Sequence, residues 1–123
     1  MRLLRKYLCM LAACLSVASP ALSQEVPYEG KILRLAEILG SLHYLHNLCG
    51  ETGSEWRNRM DAIIVAEKPG EDEKLRLISS FNHGYRVFSD NYTRCTASAH
   101  AAINRYMQEG EHLSNEIISR YGN

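Results

Sequence analysis

The stretch EGKILRLAEILGSLHYLHNLCG, residues 29–50, has helical spacing as far as Leu48 and ends on Cys49-Gly50. Ile32, Leu35, Ala36, Leu39, Leu42, Leu45 and Leu48 recur at three- and four-residue steps, the period of one apolar helix face. Gly50 follows Cys49 and is placed to take a left-handed cap. The spacing predicts a first helix over residues 29–48, preceded by the short extended lead-in Val26-Pro27-Tyr28.

Three more helices follow from the same reasoning. Thr52-Gly53-Ser54 is a turn, and Ser54 can cap a second helix whose first turn carries Glu55 and whose stripe is Trp56, Met60, Ile63 and Ile64. Lys68-Pro69-Gly70 breaks it. A third helix starts near Glu71 or Asp72, with Leu75, Ile78, Phe81, Tyr85, Phe88 and Tyr92 expected on its buried side and Asp90-Asn91 fraying its end. Thr93 or Thr96 caps a fourth and longest helix, running to about Tyr121 before Gly122 stops it, whose seam is Ala99, Ile103, Tyr106, Gly110, Leu113 and Ile117. No strand, repeat or low-complexity segment competes. The expected fold is all-α, a single small domain built as a bundle of about four helices.

The cysteines acquire meaning from the amino terminus. Arg2, Arg5 and Lys6 precede an apolar run from Tyr7 to Leu15, and Ser19-Pro20-Ala21-Leu22-Ser23 ends in a small-residue cleavage pattern. Residues 1–23 read as a cleaved signal peptide, leaving residues 24–123 as the helical domain. The run is too short to span a bilayer, which takes about 20 apolar residues. The alternative is a lipoprotein anchored at Cys14, since Leu11-Ala12-Ala13-Cys14 has the shape of a lipobox. Both readings place the domain outside the cytoplasm. There an even pair of cysteines, Cys49 and Cys95, is expected to form a disulfide, and its long loop would stabilise the fold by about 4 kcal/mol. Two free thiols or a metal pair are the other possibilities. Helix two and its flanking turns would lie inside the covalent loop.

The whole chain balances 14 basic against 14 acidic residues. Removing the three basic residues of the signal leaves 11 against 14, a net charge of −3 with no basic run. That excludes the clustered Lys/Arg of a nucleic-acid binder and electrostatic attachment to anionic lipid.

Few residues point to chemistry. His43, His46 and Cys49 form an H-x-x-H-x-x-C stripe that could hold a soft metal only with Cys49 reduced. Glu109 and His112 have Glu-x-x-His spacing, but a di-iron bundle needs two such motifs and the chain has one, so a solvated helix face accounts for Glu109-Gly110-Glu111-His112. No G-x-S-x-G, P-loop, H-E-x-x-H, C-x-x-C or C-x-x-C-H occurs, and Asn91-Tyr92-Thr93 matches the glycosylation pattern. No catalytic residue, metal ligand or cofactor is assigned. Gly84 and Gly110, inside helices, each cost about 1 kcal/mol against alanine, which close helix–helix approach would offset; a kink or a ligand is the alternative. Tyr44, Tyr85, Tyr92 and Tyr106 are expected to place rings in the core and hydroxyls at its edge.

His43-Tyr44-Leu45 with Leu48-Cys49-Gly50, Trp56-Arg57 with Met60, Phe81-Asn82 with Gly84-Tyr85, Cys95-Thr96, Arg105-Tyr106 with Glu109-Gly110, and Arg120-Tyr121-Gly122 resemble an uncharacterised family of small exported alphaproteobacterial proteins, a domain of unknown function. The resemblance covers nearly all of the mature chain and implies a bacterial periplasm without supplying an activity. His46 departs from the basic residue, such as Arg, that the family favours there, and the acidic opening of helix three is also atypical.

The function expected is therefore a non-enzymatic periplasmic binding, adaptor or structural protein of the cell envelope, its partner an envelope protein or small ligand. The candidate binding face is Trp56, Arg57, Tyr85 and Arg86, if helices two and three are adjacent. Two alternatives stand beside it. One is an acid- or stress-activated holdase chaperone, motivated by five histidines and 14 acidic groups that take up protons on acidification and drive the net charge positive. The other is an envelope-polymer enzyme with no recognisable motif.

Overall fold

The structure, a computed structural model, describes residues 28–121. The signal segment and its cleavage point, the Val26-Pro27 lead-in and the Gly122 stop lie outside the described residues. Four helices follow in order: α1 (Tyr28–Leu48), α2 (Glu55–Glu67), α3 (Glu71–Ser89) and α4 (Ala97–Tyr121). Among the described residues there is no strand, and no helix is long and apolar enough to cross a membrane.

The helix ends follow from local chemistry. Gly50 takes φ +97°, and the Glu51 amide reaches back to donate to His46 O at 2.9 Å, which closes α1 in a left-handed cap. The Asn47 side chain then pins the turn into α2, accepting from Gly53 N at 3.0 Å and donating to Gly53 O at 3.2 Å. Ser54 stands at the α2 N-cap, but its hydroxyl makes no capping bond, contrary to expectation. Thr96, not Thr93, caps α4: its Oγ1 accepts from Ala99 N at 3.1 Å. Asp90-Asn91 does not fray α3, because Asp90 N and Tyr92 N donate to Arg86 O and Phe88 O.

The bundle is organised around α1, against which α2, α3 and α4 all pack. Its buried residues include Ile38, Gly40 and Ser41 as well as the expected stripe from Ile32 to Leu45, with Leu48 half-buried, so α1 is enclosed on most sides rather than on one face. One core cluster joins Ile32, Leu35, Ala36 and Leu39 to Met60, Leu77 and Phe81; a second joins Leu45 to Phe88, Ala99 and Ala102. The Cys49–Cys95 disulfide lies beside the second cluster, its Cα atoms 4.9 Å apart, and staples the end of α1 to the approach to α4.

The α1–α3 contact is made backbone to backbone. A Cβ at Gly40 would lie 1.8 Å from Phe81 O, and one at Gly84 would lie 1.9 Å from Glu37 O. Ser41 Oγ bridges the same crossing, within donating distance of Glu37 O (3.0 Å) and Gly84 O (3.1 Å). This contact corrects the expected phase of α3. Its buried residues are Leu77, Phe81, Gly84 and Phe88, while Leu75, Ile78 and Tyr85 are exposed. The large side chains suggested a face turned away from Gly84, whereas Gly84 marks the line of closest approach. Gly84 and Gly110 do not meet, since Gly110 faces Ile38 of α1.

α4 is fastened differently, by charge. Arg34 grips Glu109 through two bonds, Nε–Oε1 at 2.8 Å and Nη2–Oε2 at 2.9 Å, and buried Lys31 meets Glu116 at 2.7 Å. Glu109 is therefore an interhelix partner, not part of a solvated face.

These contacts separate the glycines by consequence. Gly40→Ala and Gly84→Ala should each destabilise the fold by about 3 kcal/mol, because backbone cannot move aside as a side chain can. Gly110→Ala should change stability by less than about 1 kcal/mol, its gain in helix propensity offsetting a small shift of the Ile38 methyl group. Urea unfolding of the three variants at fixed redox state measures both.

Candidate functional site

α2 and α3 touch only sparsely, and the tight Lys68-Pro69-Gly70 turn joins them. Lys68 takes a left-handed conformation and its amide donates to Ile64 O, ending α2 abruptly. Between the two helices lies an open cleft of about 330 Å³, lined by Met60, Ile64, Val65, Ile78 and Phe81, with Arg57, Asp61, Lys74 and Asn82 as its polar members. Val65 is 73% exposed and Ile78 37% exposed, so apolar surface remains uncovered there.

Arg57 lies over one wall of the cleft, its Cζ 5.3 Å from the centre of the Phe81 ring, a cation–π contact. Neither Arg57 nor Lys74 forms an ion pair among the described residues. His43 of α1 continues the aromatic surface, with ring centres 5.9 Å from Phe81 and 5.8 Å from Tyr85, and Tyr44 meets Tyr85 edge to face at 5.2 Å. Tyr44 donates its hydroxyl proton to Tyr92 O, as an edge-of-core tyrosine should. Burial, and secondly the Arg57 guanidinium, push His43 below its ordinary value of 6.5. Arg57 thus stands beside both the Phe81 ring and the His43 imidazole.

The four residues of the expected binding face divide. Arg57 and Tyr85 both neighbour His43, Arg57 also lying over Phe81 and Tyr85 also meeting Tyr44. Trp56 faces elsewhere: its ring stacks on His46 at 5.2 Å, Arg59 lies over it at 5.0 Å, and it lines the valley between α2 and α4 with Leu39 and Met107. Arg86 lines a separate shallow hollow with Glu37, Arg76 and His83. Sequence reasoning missed His43, Phe81 and Ile78 as members of the site. By spacing alone Phe81 and Ile78 read as core and His43 as part of a metal stripe.

That stripe diverges in three dimensions. Cys49 is in the disulfide, His43 faces α3, and His46 Nδ1 bonds the Glu51 carboxylate. Glu109 and His112 also part: Glu109 pairs with Arg34, while His112 is 3.9 Å from Glu116. A different grouping brings Cys49, Cys95 and His100 together, with His100 Nε2 3.2 Å from Cys95 Sγ.

Residues 27–121 match the model of the family described as protein of unknown function (DUF2385), and the chain belongs to that family. No curated protein and no solved structure matches the chain.

The His43 environment has a measurable signature. A depressed folded-state pKa means that His43 contributes stability that is complete above about pH 6.5 and declines as pH falls through the lowered value. In an NMR titration His43 should titrate below 6.5. Arg57→Gln should move it upward by removing the repulsive charge.

Proposed function

We propose that this member of the DUF2385 family is a non-enzymatic binding module of the bacterial cell envelope, exported to the periplasm, which holds an amphipathic segment of a partner protein in the α2–α3 cleft. The observation that carries the reading is the pairing of uncovered apolar surface with an unpartnered cation: Val65 and Ile78 beside Arg57, which is held over Phe81. The cleft is open and about 330 Å³, room for two or three side chains rather than an enclosed cofactor. Apolar side chains of the partner would cover Ile64, Ile78 and Phe81. An acidic group beside them would meet Arg57 and Lys74, both free of ion pairs among the described residues. Aromatic and arginine side chains are the residue types that dominate binding energy at such contacts.

Site-specific photocrosslinking tests this reading. A photoreactive residue at Val65 should give one discrete adduct in the exported fraction, and the same residue at Asn104 on α4 should not. Arg57→Glu should weaken capture by at least about tenfold, equivalent to about 1.4 kcal/mol. Trp56→Ala, in the other valley, should alter stability and leave capture intact. The absence of any Val65 adduct, or identical adducts from both positions, overturns the proposal.

One observation favours a second reading, the acid-activated holdase. The hydrogen bonds and charge of Arg34 hold the Glu109 carboxyl below its ordinary value of 4.5. The contribution of this pair is complete above about pH 4.5 and is lost as pH falls through the lowered value. Protonation would loosen α4 from α1 and uncover Ile38 and Leu42. Suppression of client aggregation at about pH 3 but not at about pH 7 is the expected result, with Glu109→Gln, which mimics the protonated carboxyl, suppressing already at about pH 7; no suppression at either pH ends the idea.

A further inference from the structure

We infer that the Cys49–Cys95 bridge is a closed form of a soft-metal site, which opens on reduction and takes a thiolate-preferring d¹⁰ cation, Zn²⁺ or Cu⁺, with His100 as third ligand. The inference is independent of the α2–α3 cleft. It rests on three donor atoms, the sulfurs of Cys49 and Cys95 and a ring nitrogen of His100, that lie within 4.8 Å of one another. Two of them, Cys95 Sγ and His100 Nε2, are already 3.2 Å apart.

The chain places these atoms for identifiable reasons. Thr96 caps α4, so Cys95 precedes the cap and His100 projects from the first turn of the helix. Five residues apart in sequence, they meet because the chain enters α4 through that cap. The positive end of the α4 dipole and the nearby imidazole both favour a thiolate at Cys95. Cys49 arrives from the far side, at the end of α1. Cys95 and His100 are exposed and Cys49 is half-buried, so an ion and a reductant have access.

The geometry suits a tetrahedral ion. Zinc–sulfur bonds of about 2.3 Å and zinc–nitrogen bonds of about 2.0–2.1 Å put the two sulfurs about 3.8 Å apart and each about 3.5 Å from the nitrogen. The sulfur–nitrogen spacing is nearly in place. The sulfurs must separate by less than about 2 Å, which side-chain rotation and the short segment before α4 can supply. Three protein ligands leave a fourth position for water or for a donor from elsewhere.

The chemistry balances with a dithiol reductant. One thiolate of the dithiol attacks the exposed Cys95 sulfur, the Cys49–Cys95 bond breaks, and Cys49 leaves as a thiolate. The second thiol of the reductant displaces Cys95, so two electrons pass to the protein and the dithiol becomes a disulfide. The cation then binds both sulfurs, and any proton they carry is released. A two-electron oxidant reverses the sequence, reforms the bridge and expels the ion.

The experiment titrates Co²⁺, as a spectroscopic stand-in for Zn²⁺, into the mature protein held reduced without oxygen, followed by displacement with Zn²⁺. The expected result is one equivalent bound, with the thiolate-to-cobalt absorption and tetrahedral ligand-field bands of a two-sulfur site, and no binding to the oxidised protein. His100→Ala keeps the disulfide and should lower affinity by at least about 100-fold, since even outer-shell partners of a metal are worth about 10–100-fold. Circular dichroism follows the fold in parallel. If reduction loosens the bundle, added Zn²⁺ should restore the helical signal in the native sequence and not in His100→Ala. Reduced protein that binds no Co²⁺, or binding equal in His100→Ala, overturns the inference.

Discussion

The contact on which the structure depends is the crossing of α1 and α3, where two glycines let backbone meet backbone. Gly40 admits the Phe81 carbonyl, and Gly84 admits that of Glu37, each helix presenting its notch to the other across the same three-residue step. Such an approach fixes position and rotation together, because a helix that turned would drive a side chain into its neighbour's backbone. Leu77, Phe81 and Phe88 are thereby turned into the core, while Ile78 and Tyr85 fall on the side where α2 does not reach. The cleft is thus a by-product of the glycine crossing rather than a separate construction.

The other two helices are held by weaker means, and this grades the molecule. α4 leans on Arg34–Glu109 and Lys31–Glu116, whose charges are partly or fully withdrawn from water and would be costly to leave single. α2 contributes Met60 as its one buried residue among those described and touches α3 only sparsely. What retains α2 is largely topology: the Asn47–Gly53 clasp at its start, the Lys68-Pro69-Gly70 turn at its end, and a covalent loop that encloses it. Local opening should therefore begin at α2, the element with fewest buried apolar contacts.

Much of this was legible in the chain. Four apolar periodicities gave four helices, Gly50 and Thr96 gave caps, and an even pair of cysteines gave the bridge. What periodicity could not show was rotation. Large side chains in α3 form a broad stripe, and only the partner helix decides which edge is buried; Gly84 was visible as an oddity but not as the centre of that face, and Gly40 drew no attention at all. The ion pairs were hidden because Arg34 and Glu109 are 75 residues apart and each looks like a solvated residue on its own helix. The site was half visible for the same reason. Arg57 and Tyr85 were singled out, but their companions His43 and Phe81 lie on other elements or looked like packing, and adjacent numbers sent Trp56 and Arg86 to different grooves.

A weakly packed α2 would be a liability in a domain this small if nothing else restrained it. The disulfide resolves that problem by acting on the unfolded chain: it shortens the span through which α2 can wander without needing a single additional contact on α2 itself. The apolar wall of the cleft can then stay uncovered while the bundle remains closed. The same arrangement ties the two unusual features of the molecule together. The loop the bridge closes carries both walls of the cleft, Met60, Ile64 and Val65 on α2 and Ile78 and Phe81 on α3, but the glycine crossing also anchors α3 to α1 whatever the state of the sulfurs. The α3 wall is therefore held by packing as well as by the bridge, and the α2 wall, with less packing of its own, is the one that responds more to a change in redox conditions.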